Sequence, residues 1–277
     1  MQIINGRKIS EEIMQGIKKE VEALPFVPVF CDVLVGEDPS SLQYVKMKSR
    51  LAESVGIKFH NANFPPSITT EDLIKEIKVL NEMQDMCGII VQLPLPAHLD
   101  RQIILDAIDP TLDVDCLGTV SSEKFYEGEN VSGLPTALAC MAMLETLPVD
   151  LKDKNIVVMG QGALVGRPVT ALLRFKNLFP YAVTSETEGK EIILKNADVI
   201  ISGIGKGKYI KSDMIKEGVI IIDAGTSEEG GGIVGDVDLD SVSSFASYVS
   251  PVPGGVGPVT VAMLLKNVLQ VAKTKTD

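Results

Sequence analysis

Asn155-Ile-Val-Val-Met-Gly-Gln-Gly-Ala-Leu-Val-Gly-Arg-Pro168 is the stretch that decides the fold. Ile156–Met159 is a short, β-branched apolar run, so it is predicted to be a buried strand that stops at Gly160. Gly160 and Gly162 permit a sharp turn and a close backbone approach, and Gly166-Arg167-Pro168 can open a helix. Backbone N–H groups at such a helix start are suited to a phosphate or diphosphate. The third glycine of the dinucleotide fingerprint falls one place late, at Gly166 rather than Val165. The same residues therefore also suit an ordinary strand-turn-helix corner, and the rest of the chain must decide.

Working outward, the chain alternates. Downstream, helices are predicted over 166–177, 188–196 and 212–216, and strands over 181–184, 198–202 and 219–224, with Gly230-Gly231-Gly232 as a surface turn. Upstream, Ser10 is predicted to cap a helix with Glu11 and Glu12 in its first turn. A strand over 28–35 precedes a helix capped by Ser40 or Ser41 and running to Val55. Then come a strand over 57–64, a helix over Thr70–Asn81, a strand over 88–91 and a helix over 100–108. Residues 116–133 read as irregular, an interdomain crossing, and 136–147 as a bridging helix. Such alternation implies parallel sheets covered by helices, with sites beyond the strands' C-terminal ends. Residues 36–44 and 92–96 stand at such ends. Near the C-terminus, Ser250-Pro251-Val252-Pro253-Gly254-Gly255-Val256-Gly257-Pro258 fixes an unusual backbone path in which an X-Pro bond can be cis, and a helix over 259–272 follows.

With 277 residues the chain has room for two domains, and 45% hydrophobic with 23% charged residues is a globular composition. No apolar run approaches the roughly 20 residues of a membrane helix. The first eight residues lack the apolar core of a signal peptide, so a cytoplasmic location is expected. A net charge of −11 disfavours a nucleic-acid partner, whose phosphates need clustered Lys and Arg. Cys31, Cys87, Cys116 and Cys140 form no Cys-x-x-Cys pair, so neither a metal site nor a disulfide framework is expected. His60 and His98, the two histidines, leave few candidates for histidine-dependent chemistry.

Tyr44 and Lys48 are four residues apart and share one helix face. A lysine in a partly apolar pocket can serve in proton transfer near neutrality. Lys46, Lys48 and Arg50 equally fit a solvated cationic face. Gln92 is polar between Ile89-Ile90-Val91 and Leu93-Pro94, and needs a hydrogen-bond partner if buried. Asp115 fits a loop anion or a partner for a cationic heterocycle.

These residues make the chain similar to the bifunctional methylenetetrahydrofolate dehydrogenase/methenyltetrahydrofolate cyclohydrolase family over nearly its whole length. The resemblance is carried by Tyr44-x-x-x-Lys48, Val91-Gln92-Leu93-Pro94-Leu95-Pro96, Asp113-Val114-Asp115, Val165-Gly166-Arg167-Pro168, Val234-Gly235-Asp236-Val237 and the segment from Pro251 to Pro258. It implies a two-domain α/β fold: an N-terminal α/β catalytic domain (1–133 with 260–277) and a Rossmann-like doubly wound NAD(P)-binding domain (134–259), with a cleft between them. It implies that Lys48 moves protons at the folate one-carbon unit, that Tyr44 packs on the folate ring, that Gln92 positions the lysine and that Asp115 contacts the pterin. Val91, Leu93 and the loop Pro253, Gly254, Gly255, Val256 and Gly257 would line the folate site. Gly160, Gln161, Gly162, Val165, Gly166, Arg167, Ser185 and Thr226 would bind the cofactor, NADP by family habit. A homodimer acting on tetrahydrofolate derivatives is the implied assembly.

Some positions depart from the family pattern. Cys116 stands where glycine is usual, Leu134-Pro135-Thr136-Ala137 replaces Pro-Cys-Thr-Pro, and residues 121–133 match poorly. Glu186 and Glu188 place negative charge beside Ser185, which favours NAD over NADP. Two further readings stay open on sequence: another dehydrogenase of this architecture, shikimate dehydrogenase-like, and a catalytically inert folate- or nucleotide-binding protein.

Overall fold

A computed structural model describes residues 1–129 and 132–276. Asn130 and Val131, within the stretch read as irregular, and Asp277 lie outside the described residues. The chain divides into two compact units, Met1–Glu11 with Thr136–Met263, and Glu12–Pro135 with Leu264–Asp277.

The chain begins with β1 (Gln2–Ile3), which pairs in parallel with a strand near the other end of the sequence, Tyr248–Val249. That pairing groups the first eleven residues with the larger unit, although the sequence had assigned them to the N-terminal domain. Helix α1 (Gly6–Val21) starts four residues before the expected Ser10. Asn5 provides the reason: its Oδ1 accepts from Lys8 N–H at 3.1 Å, while the Ser10 hydroxyl donates to Pro258 O at 3.0 Å.

In the smaller unit follow β2 (Val29–Val35), α2 (Pro39–Ser54), β3 (Lys58–Phe64), α3 (Thr70–Asn81) and β4 (Met86–Val91). Helix α2 is capped by Asp38, whose Oδ2 accepts from Ser41 N–H at 2.8 Å, and not by Ser40 or Ser41. The three strands are parallel in the order β3-β2-β4. All seven residues of β2 are buried, as a central strand covered on both faces requires. Helix α4 (Arg101–Leu105) is shorter than expected, and α5 (Thr119–Glu127) occupies part of the stretch read as irregular. Gly128, at φ +77, ends it.

The larger unit contains α6 (Pro135–Glu145) from Thr136 onward, β5 (Ile156–Met159), α7 (Gly166–Phe175), β6 (Tyr181–Val183), α8 (Lys190–Lys195) and β7 (Val199–Ser202). A 3-10 turn (Ser212–Met214) precedes β8 (Ile220–Asp223), the hairpin of β9 (Ser227–Glu229) and β10 (Gly232–Val234), α9 (Leu239–Val242), β11 (Tyr248–Val249) and α10 (Val256–Thr274). Its main sheet is wholly parallel, ordered β1-β11-β8-β7-β5-β6. Val157, Ile200, Ile221 and Val249 form part of a core that covers one face. Since β5 lies between β6 and β7, the strand order reverses at β5, and the chain beyond its C-terminal end occupies a topological switch point. Among the described residues no helix is long and apolar enough to cross a membrane.

Candidate active site

In the smaller unit, β2, α2 and β4 converge on one lysine. Lys48 lies on α2 with only 6% of its surface exposed, whereas Lys46 and Arg50 of the same cationic run are exposed. Its Nζ is 2.6 Å from Asp32 Oδ2 and donates to Gln92 Oε1 at 2.7 Å. The amide of Gln92 is oriented by its other end, since Nε2 donates to Leu93 O at 2.7 Å, and its backbone N–H donates to Val33 O on β2. Val91 is buried at the end of β4, Leu93 is half-buried, and the Leu93-Pro94 bond is cis. Tyr44, one turn before Lys48, is 43% exposed.

Asp32 was not singled out in the sequence, yet it is fully buried in the middle of β2. Burial raises its carboxyl above the ordinary carboxylate range, and the Lys48 ammonium pulls it back. The available signal was a lone acid within the apolar run Val29-Phe-Cys-Asp-Val-Leu-Val35.

Asp115, half-buried, completes the group. Its segment is anchored by an Ile89–Asp113 bridge, by Ile89 N–H on Leu112 O (2.8 Å), and by Asn267 Nδ2 on Val114 O (2.8 Å) and Gly133 O (2.6 Å). Desolvation raises the Asp115 carboxyl to about 7; Lys48 opposes the rise, and Asp113 and Asp32 add to it. Cys116, the departure from glycine, has φ +55, a conformation that glycine adopts without strain, which accounts for the family's usual residue. Its thiol is buried and unreactive, with desolvation and then the charges of Asp113 and Asp115 raising its pKa.

In the larger unit, the glycine turn follows β5 at the switch point. Gly160 has φ +83, and a Cβ there would lie 2.8 Å from Gly203 O. A Cβ on Gly166 would lie 1.8 Å from Gly160 O, so Gly166 performs the close-packing task of the third glycine despite its late position. A Cβ on Gly162 would touch nothing within 4 Å, so the outer side of the turn is open to a ligand backbone approach. The helix start offers fewer donors than the fingerprint suggested. Arg167 N–H is taken by Gly162 O at 3.2 Å, Pro168 has none, and Val165 supplies no side-chain cap. Gln161 folds back, its Nε2 donating to Gly160 O at 2.8 Å. These residues fit a dinucleotide through the open turn and the helix dipole more than through a ring of N–H groups.

Ser185 is exposed after β6, and Lys190, unremarked in the sequence, donates from Nζ to Ser185 O at 3.4 Å. Thr226 is exposed between Gly225 and β9. Pro253 to Gly257 also belong to this unit: Val252-Pro253 is cis, Gly254 has φ +99, and a Cβ on Gly6 would lie 1.8 Å from Gly255 O. The structure thus brings Lys48, Gln92 and Asp115 together around Asp32 in one unit. The cofactor-turn residues and the proline-glycine loop are carried by the other. Among the described residues no group of three or more His, Cys, Asp or Glu side chains could hold a metal ion.

A parallel sheet with a glycine turn at its switch point, joined to an α/β unit with a buried lysine centre, defines a two-unit α/β enzyme of dinucleotide-dependent type. Two family models match the chain: the tetrahydrofolate dehydrogenase/cyclohydrolase catalytic domain over residues 4–115 and the NAD(P)-binding domain of the same family over 135–276. The chain belongs to the tetrahydrofolate dehydrogenase/cyclohydrolase family. A curated relative, bifunctional protein FolD of Nautilia profundicola, is 43% identical over 99% of this chain and 98% of its own. The crystal structure of the bifunctional FolD of Campylobacter jejuni has a TM-score of 0.95 at 35% identity, covering 99% of both chains. That of the Trypanosoma brucei enzyme, complexed with NADP cofactor and inhibitor, has a TM-score of 0.92 at 33% identity, covering 99% of this chain and 98% of that one. Shikimate dehydrogenase of Aquifex aeolicus, at 14% identity and a TM-score of 0.56 over 90% of this chain and 97% of its own, shares the fold alone.

Proposed function

We propose that the protein oxidises 5,10-methylenetetrahydrofolate to the 5,10-methenyl form with NADP and hydrolyses that product to 10-formyltetrahydrofolate. The observation that carries this reading is the buried Lys48, held between Asp32 and Gln92 in a chain of this family.

For the oxidation, NADP held at the glycine turn would supply the acceptor for a hydride from the methylene carbon. The adjacent folate nitrogens stabilise the resulting cation, so the chain need not supply a strong base. Hydrolysis is more demanding. Water bonds to the methenyl carbon and passes one proton to the Lys48 amine. The carbon–N5 bond then breaks, N5 takes a proton from the Lys48 ammonium, and the remaining hydroxyl proton leaves to solvent. Gln92 holds Nζ in place throughout. Tyr44 offers an exposed ring to the folate, and Asp115 offers a carboxyl that can accept pterin N–H groups. Val91, Leu93 and Pro253 to Gly257 complete the folate contacts in this reading.

The cofactor reading assigns the diphosphate to the turn of Gly160, Gln161 and Gly162 with Val165, Gly166 and Arg167, and a 2′-phosphate to Ser185, with Thr226 as a further contact. Lys190 beside Ser185 O counters the charges of Glu186 and Glu188, which supports NADP over NAD. We further assign a cytoplasmic homodimer. Phe179 and Tyr181, exposed beside and on the edge strand β6, supply an apolar edge for a second copy.

Initial rates with methylenetetrahydrofolate and each nicotinamide, following methenyl formation and decay, test the reading. Expected are both steps and at least about tenfold higher kcat/KM with NADP, of the order a charge-assisted phosphate contact supplies. Higher kcat/KM with NAD would overturn the cofactor assignment. Absence of methenyl formation with both would overturn the function.

A further inference from the structure

Asp32 is costly to bury. It lies in the centre of a three-stranded sheet with all its β2 neighbours buried, and among the described residues neither of its oxygens has a hydrogen-bond donor apart from the Lys48 ammonium contact. A strand that needed only to fill this space would be served by valine or isoleucine. The carboxylate therefore calls for an explanation, and the geometry at Lys48 Nζ supplies one.

A tetrahedral Nζ has three directions besides its carbon. One is taken by Gln92 Oε1 at 2.7 Å and a second by Asp32 Oδ2 at 2.6 Å. One direction is left. In the ammonium that direction carries a single N–H, and in the amine a single lone pair. Two fixed acceptors thus turn a freely rotating group with three equivalent hydrogens into one that gives or takes a proton along a single line.

We propose that Asp32 is a positioning residue for the hydrolytic step, a buried counter-ion that, with Gln92, aims the remaining position of Lys48 Nζ at the one-carbon unit. The inference rests on the folate reading above and adds to it a residue that acts only through Lys48. The charged groups that face this amine are Asp32 on β2 and Asp115 on the segment after α4; Asp113 and the buried thiols of Cys31 and Cys116 lie next to those two carboxyls. Asp115 can compensate the charge of Lys48 when Asp32 is removed, but it lies on another segment and would pull Nζ along a different line.

The test uses Asp32→Asn and Asp32→Val, the second matching the apolar strand should the first fold poorly. Both variants are compared with wild type in both reactions across pH. Expected is a loss of hydrolytic kcat of about 10- to 100-fold with little change in KM, within the range for a displaced proton-transfer group. Oxidation stays within about threefold, as a step without an enzymic base should. In spectra of 15N-lysine protein without folate, the Lys48 ammonium signal, identified by its absence in Lys48→Met, is sharp in wild type and lost to rapid exchange in both variants. Asp32→Glu restores part of the rate. An equal loss in both reactions, or a Lys48 ammonium signal as sharp in the variants as in wild type, would overturn the proposal. Absence of hydrolysis in the wild type itself would instead overturn the functional reading, with the ammonium signal still reporting on the Asp32 contact.

Discussion

Asp236 and Asp223 of the larger unit and Asp32 of the smaller are all buried, but they are compensated in opposite ways. In the larger unit, Asp236 accepts from the Ser202 hydroxyl at 2.7 Å and from the N–H groups of Ile204 and Lys206, both at 2.8 Å. Asp223, at the end of β8, accepts from the N–H groups of Gly225, Asp236 and Val237. These anions are surrounded by neutral donors fixed to the backbone, and they pin the turns that follow β7 and β8. No ligand is needed to complete them. In the smaller unit, Asp113 is held in the same way by Gly118 N–H and the Ser121 hydroxyl, whereas Asp32 has no such ring and faces the Lys48 ammonium. A carboxylate that serves the fold is satisfied by the backbone, whereas one that serves a reaction is left to a side chain whose charge changes during it.

The largest expected effect breaks the second arrangement at its cation. Lys48→Met should reduce hydrolysis by at least about 10³-fold and leave oxidation within about tenfold, the range for loss of a general acid–base. It also strands Asp32. Burial already raises that carboxyl, and without the ammonium nothing opposes the rise. The native state of the variant should therefore hold a proton that the unfolded chain releases. Its stability would be fully present below the ordinary carboxylate pKa and would fall as pH rises through the raised value. Urea midpoints at several pH values check this, and a variant whose midpoint tracks wild type at every pH would place Asp32 in the same class as Asp236.

The opposite break is Asp236→Ala. It leaves the Ser202 hydroxyl and two backbone N–H groups without their acceptor in a buried place, and should cost about 2–4 kcal/mol of stability. Because the carboxylate acts only on the fold, the pH profile of hydrolysis by the remaining folded protein should not shift. Denaturant unfolding combined with the assay separates the two readouts, and a shifted profile would count against dividing the carboxylates by role.

This contrast also marks what the amino-acid sequence could reveal. The glycine turn was legible because Gly160, Gly162 and Gly166 leave few alternatives for a chain leaving an apolar strand. Lys48 and Gln92 were legible as motifs, and Gln92 as a polar interruption. Asp32 was hidden by its neighbours: an acid among six apolar residues of one strand is interpretable only once the fold brings a lysine sixteen residues later back to it. Helix α5 was missed because just Ser121 and Phe125, four apart, are buried on it, too few to set a period. The helix caps were misread in one direction, with serines inside the helix chosen over Asn5 and Asp38 just before it. Several residues competent to cap stood in a row, and the local sequence could not rank them.

Asp115 lies between the two classes, and its titration sharpens the comparison with the smallest expected effect. Desolvation brings its carboxyl from 3.8 to about 7, outweighing Lys48, with Asp113 and Asp32 adding to the rise. The native protein therefore binds this proton more tightly than the unfolded chain does. The stability linked to it is fully present below about pH 4 and is lost as pH rises through about 7. Asp115→Asn removes the dependence, so relative to wild type the variant should gain about 2–3 kcal/mol between pH 5 and pH 8, from about 1.4 kcal/mol per pH unit for one proton up to pH 7 and little above it. A difference that stays flat across that window would mean that backbone donors compensate Asp115 as they do Asp236. A sloping difference has a functional corollary: a carboxyl near its own neutralisation point can be ionised by the arrival of an N–H-rich ring. A carboxylate already ringed by backbone donors has no vacant acceptor to offer one.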